Sequence, residues 1–178
     1  FWFDGAGTVH LRNLQIRDGF TGGTTGDGGS IMTTDAASTL TLTNISISGS
    51  RASADGGSIY ASGSVALTDV SINLVPFDWT VGVWATGGDG GAVYAGGSVT
   101  MNQVTINGTN AAGSGGAVFA SGPVEMTDVS ITGSPGSNPF YAAGNNGGAV
   151  FSFGSVTMQD VVIDGSNALG AGGAVWAL

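Results

Sequence analysis

The chemistry open to this chain is narrow. Its charged side chains are twelve acids set against Arg12, Arg17 and Arg51, with His10 as the one histidine. Three groupings of these residues deserve a chemical reading. Asp128 and Asp160 hold the same position in successive repeats of the sequence, and a carboxylate pair about 5 Å apart is what a retaining glycoside hydrolase uses. That position is Asn13, Asn44, Asp69 and Gln103 in the other repeats, which reads as turn chemistry. His10 and Arg12, with Arg17 close by, are the only bases that could serve a lyase acting on an acidic sugar, and together they read as a solvated strand face. Asp27, Asp55 and Asp89 form the third set, each standing directly before a Gly-Gly pair. Stacked carboxylates repel unless they are protonated, solvated or bridged, so a structural calcium is the one cofactor this column admits. No residue is assigned a catalytic role, and the chain is expected not to be an enzyme.

Composition narrows the partners. There is no cysteine, which excludes disulfides, thiolate metal sites and thiol nucleophiles. A net charge of −9 without a basic patch repels phosphate backbones, so nucleic acid is excluded. No uninterrupted apolar run reaches 18 residues, so no membrane-spanning segment is expected. Hydrophobic residues make up 42% of the chain, too many for disorder.

The elements that position these residues come from an internal repeat. Gly-Gly pairs at 28–29, 56–57, 90–91, 115–116, 147–148 and 172–173 each open a short motif: GGSIM, GGSIY, GGAVY, GGAVF, GGAVF and GGAVW. Between them recurs an eight-residue block, as in LTLTNISI from Leu40 to Ile47 and VEMTDVSI from Val124 to Ile131. Apolar residues fill its first, third, sixth and eighth places. This alternation predicts two short strands around a polar break, with the fifth residue, mostly Asn or Asp, which tolerate the left-handed region, as the corner between them. The Gly-Gly motif supplies a third strand. The pattern predicts an all-β fold, a right-handed parallel β-helix (solenoid) of about six coils with three short strands per coil, forming a single domain over residues 1–178.

Aromatic residues form two further sets. Met32, Tyr60, Tyr94, Phe119, Phe151 and Trp176 follow the inward Ile or Val of each Gly-Gly motif, so alternation predicts an outward ladder. The other set lies between block and Gly-Gly pair, where every second connection is long. Phe20 is in the first long connection, Phe77, Trp79 and Trp84 are in the second, and Phe140 and Tyr141 are in the third. Insertions on one face of a solenoid mark its contact face, so these six residues are the candidate partner-binding set. They also suit a cover for the ladder. A protein partner or a second copy is the expected ligand, with a glycan as a further option.

The stretch from Ser98 to Ala120 resembles the repeat of polymorphic outer membrane proteins of the GGAI type and related autotransporter-passenger-like bacterial surface proteins. The GGAI equivalent is present in all six places, and Ile106 to Thr109 (INGT) stands where that family has FxxN. The resemblance implies a β-helical adhesin, passenger or fibre segment at a bacterial surface or outer membrane, exported to the extracellular space or the periplasm. Phe1, Trp2 and Phe3 at one end, and Trp176 and Leu178 at the other, carry no polar cap. The chain is therefore expected to be part of a longer helix or a subunit stacked head to tail through these residues. The alternative role is an accessory structural subunit docked on a larger complex, or a self-assembling filament. A polysaccharide-active enzyme ranks last.

Overall fold

The structure, a computed structural model, describes residues 1–23, 26–73, 83–85, 88–133, 140–142 and 145–178, with the backbone alone for 83–84 and 140–142. These residues are all-β: nineteen strands and no helix. Every pairing between strands is parallel, and each strand lies beside the strands three before and three after it. Three sheets result.

Sheet A collects the Gly-Gly strands: Trp2–Phe3, Ile31–Thr33, Ile59–Ala61, Val93–Ala95, Val118–Ala120, Val150–Ser152 and Val175–Ala177. Sheet B collects the blocks: Thr8–Arg17, Thr39–Ser48, Ser64–Asn73, Val99–Asn107, Val124–Thr132 and Val156–Asp164. Sheet C is made of Phe20–Thr21, Arg51–Ala52, Val83–Ala85, Thr109–Ala111, Phe140–Ala142 and Ser166–Ala168. Among the described residues no helix is long and apolar enough to cross a membrane.

Register places like on like. In sheet B, Leu42 faces Leu67, which faces Met101, which faces Met126, and Ile47, Ile72, Ile106 and Ile131 form a parallel column. All eight of these side chains are at most 1% exposed. Ile31, Ile59, Val93, Val118 and Val150 of sheet A close the same core. Burying each such side chain stabilises the fold by roughly 1.5–3 kcal/mol. A slip of one residue would turn whole columns outward, so the apolar pattern fixes the register.

The block was expected to break into two strands. It runs instead as one strand of ten residues at Thr39–Ser48 and one of nine at Val99–Asn107. Its fifth residue does adopt the left-handed conformation: φ is 56° at Asn13, 52° at Asn44, 53° at Asp69, 55° at Gln103, 54° at Asp128 and 53° at Asp160. That single inserted residue re-phases the alternation, so the sixth and eighth side chains point inward again. Pairing resumes on its far side without a change of sheet, as from Thr43–Thr68 to Ile45–Val70.

The Gly-Gly corner is tightly constrained. The first glycine is left-handed in every repeat, with φ from 58° at Gly28 to 68° at Gly172. The second is crowded by its neighbours instead. A Cβ on Gly91 would lie 2.0 Å from the carbonyl oxygen of Gly116 and 2.5 Å from that of Asn110. Gly173, in the last pair, has nothing within 4 Å. Gly91→Ala should therefore destabilise the protein by about 3 kcal/mol or more, while Gly173→Ala should change stability by about 0.5 kcal/mol or less. Urea unfolding of the two variants checks this; equal losses would refute the stacking constraint.

Candidate functional site

The acidic column is built from the backbone outward. Asp27, Asp55 and Asp89 stand just before left-handed glycines, and main-chain pairing stacks these turns: Gly28 N–H donates to Asp55 O and Gly56 N–H to Asp89 O, each at 3.0 Å. The side chains lie along the stacking direction. Asp55 N–H donates to Asp27 Oδ1 at 3.0 Å, and Asp89 N–H to Asp55 Oδ1 at 2.7 Å. Ser114 N–H donates in turn to Asp89 Oδ1. Further along the column, Ala171 N–H donates to Asn146 Oδ1 at 2.7 Å, so an amide does the same work. Each carboxylate thus caps the turn of the next repeat. Among the described residues no three Asp, Glu, His or Cys side chains converge as a metal site.

Electrostatics follow from this placement. Burial pushes the Asp55 carboxyl above its ordinary range, with the charges of Asp89 and Asp27 adding to the rise and the Asp89 N–H opposing it. Burial likewise raises Asp89, against the Ser114 N–H. The column runs beside the aromatic ladder: burial first, then the charge of Asp55, also raises the Tyr94 hydroxyl.

The ladder itself is one register column, in which Met32, Tyr60, Tyr94, Phe119, Phe151 and Trp176 are successive partners. From Tyr60 onward the rings stack face to face, with centroids 4.9, 4.9, 5.0 and 4.5 Å apart and planes within 13°. Such pairs add about 0.5–1.5 kcal/mol each beyond area burial. Phe119 and Phe151 are nevertheless buried, and part of their cover is Phe153, whose ring sits edge-on to Phe151 at 4.9 Å and to Phe119 at 6.0 Å. Phe153 had no place in the sequence reading, although it lies two residues beyond Phe151 on the same side of the chain. The ladder offers ring edges, because its faces are turned to one another.

The candidate partner-binding residues are placed differently from expectation. Phe20, Trp84, Phe140 and Tyr141 were read as residues of long connections; all four lie in strands of sheet C. Phe77 and Trp79 lie outside the described residues. Register aligns Phe20 with Arg51, Arg51 with Trp84, and Trp84 with Asn110. Ala111 pairs with Ala142, and Tyr141 with Asn167, so the same column continues through the last two strands. Sheet C went unread because its strands are two or three residues long. The signal was an alanine four or five places before Gly-Gly, at Ala52, Ala85, Ala111, Ala142 and Ala168.

The remaining candidates do not converge. His10, Arg12 and Arg17 are exposed on the strand Thr8–Arg17, where Arg17 Nη2 donates to Gln15 Oε1 at 3.3 Å. Asp128 and Asp160 are exposed at their left-handed corners. Phe1 and Trp2 are exposed, Phe1 stacks against Phe3, and Trp2 pairs with Met32. Trp176 closes the ladder and Leu178 is exposed.

A pH dependence follows from the acidic column. Because Asp55 and Asp89 have folded-state pKa values above those of the unfolded chain, they favour the folded state while protonated. That contribution is complete below about pH 3.9, the unfolded value, and is lost as pH rises through the raised values. Asp55→Asn, which keeps the Oδ1 acceptor as Asn146 does, should raise stability at pH 7 by about 0.5–1 kcal/mol. The gain should vanish by about pH 3.5. Melting curves from pH 3 to 7 check it, and a loss of stability at pH 7 would contradict the assignment.

No protein-family model, no curated protein and no solved structure matches this chain.

Proposed function

We propose that the chain is a right-handed parallel β-helix of six coils that acts as a non-enzymatic structural or adhesive element. It is exported to a cell surface or outer membrane, and it meets its partner through the aromatic positions of one side. The observation that carries this reading is where the polar side chains are spent. The carboxylates of Asp27, Asp55 and Asp89 cap backbone N–H groups of the next repeat. Asn44 Nδ2 donates to Asn13 Oδ1 at 2.8 Å and Asn107 Nδ2 to Asn73 Oδ1 at 2.7 Å, again between repeats. These groups hold one repeat to the next, which is the business of a rigid spacer. The three-fold alternation of sheets, with each strand beside its equivalents, supports the coil reading. The likeness of the Gly-Gly motifs to the GGAI repeat supports the surface role.

Antibody labelling of intact source cells tests the proposal. Labelling without permeabilisation is expected. Labelling that appears only after the cells are opened would overturn the surface assignment.

A further inference from the structure

The aromatic ladder of sheet A is covered along one part of its length and open along another. Over Phe119 and Phe151 lies the ring of Phe153, at 81° and 83° to theirs, with centroids 6.0 and 4.9 Å away. The ladder faces are stacked on one another, so ring edges are what Phe153 meets. A ring edge is the positive part of the quadrupole and a ring face the negative part, which makes the perpendicular contact favourable. Phe119 and Phe151 are 6% and 4% exposed. Smaller residues take the place of Phe153 after the other strands. Phe153 N–H donates to Ala120 O, and in the same way Gly96 N–H donates to Ala61 O and Ser62 N–H to Thr33 O. Ser62 and Gly96 stand two residues beyond Tyr60 and Tyr94, and both tyrosines remain partly exposed. Nothing larger fits at Gly96, where a Cβ would lie 2.2 Å from Ser62 O. Among the described residues, Tyr60 and Tyr94 have ring contacts only within the ladder.

The open part is also charged along one side. Asp27, Asp55 and Asp89 run beside it as a stack, and the charges of Asp55 and Asp89 both act on the Tyr94 hydroxyl. At a net charge of −9 the field of the whole chain draws cations toward this surface as well. Two different needs therefore meet at one place: ring edges that favour the face of a further ring, and carboxylates that favour a positive charge.

We propose that the ladder edge at Tyr60 and Tyr94 docks an extended polypeptide partner. The partner lays the face of one aromatic side chain across the two tyrosine edges and turns a Lys or Arg toward Asp55 and Asp89. The assignment rests on the surface-contact reading above and names its site and partner class. Phe153 is the pattern for the aromatic part, since it makes the same contact within the chain. Charge decides the rest. An acidic segment meets like charge at Asp55 and Asp89, and a neutral one brings nothing to offset their desolvation.

NMR titration of the 178-residue chain with the acetylated and amidated pentapeptide Lys-Phe-Lys-Phe-Lys tests this directly. Saturable shifts are expected at the amides of Tyr60, Ser62, Tyr94 and Gly96. The peptide with Leu in place of Phe should bind about two- to tenfold more weakly, and the peptide with Glu in place of Lys should not bind. Ser62→Phe supplies the ring from within the chain, as Phe153 does, and should abolish the shifts. Asp55→Asn, which keeps the turn cap, should weaken binding up to about fivefold. Absence of saturable binding, equal affinity for the Leu peptide, or unchanged binding by either folded variant would overturn the proposal. So would shifts at the same amides when the chain alone is concentrated, if they vanish in Phe20→Ala, because the occupant would then be a second copy. Cell-surface labelling that persists while peptide binding is absent would sink this inference and leave the surface reading standing. Peptide binding by a chain found only inside cells would do the reverse.

Discussion

Between Gly29 and Gly57 there is room for a carbonyl oxygen and for nothing larger, since a Cβ on Gly29 would lie 2.3 Å from it. The same approach recurs from Gly91 to Gly116 and from Gly148 to Gly173, at 2.0 and 2.1 Å. Glycine at this corner lets the main chain of one repeat sit directly against that of the next. The rest of the structure depends on that contact. If the corners did not nest, the strands on either side would lose their parallel partners, and the columns of Leu, Ile, Val and Met would lose the neighbours that keep them dry.

In-register stacking makes every column a repetition of one chemistry, and each kind of side chain needs its own answer to being repeated. Apolar residues gain from it directly. Aromatic rings at the strand spacing fall into face-to-face contact, so the spacing itself builds the ladder. Amides can donate to one another along a column, as Asn44 does to Asn13. Carboxylates cannot: Asp27, Asp55 and Asp89 meet like charge above or below. The N–H each one accepts offsets part of the burial and repulsion, and the raised pKa of Asp55 measures what is left over. In the later repeats the position is Ser114 and Asn146, which relieves the repulsion without giving up the turn.

How much of this could be read from sequence depended on how many residues carried the signal. The block has four apolar places in eight and repeats six times, so its register and inward face were legible, as was the left-handed fifth residue, where Asn and Asp predominate. The division of the block into strands was misjudged because a single left-handed residue bends a parallel strand without ending its pairing. Sheet C was missed for a plainer reason. Strands such as Phe20–Thr21 and Arg51–Ala52 are too short to show a period, and they are specified by their neighbours rather than by themselves. The acidic set was identified correctly as a stack, but its partners were backbone N–H groups, which no side-chain pattern announces.

The aromatic ladder of sheet A shows how the spacing of like residues decides what they can do. A ring on every strand satisfies its neighbours and becomes part of the fold, as in the run from Tyr60 to Trp176. In sheet C the register partner of Phe20 is Arg51, so no ring stands one strand spacing away to stack on it, and Phe20 is 68% exposed.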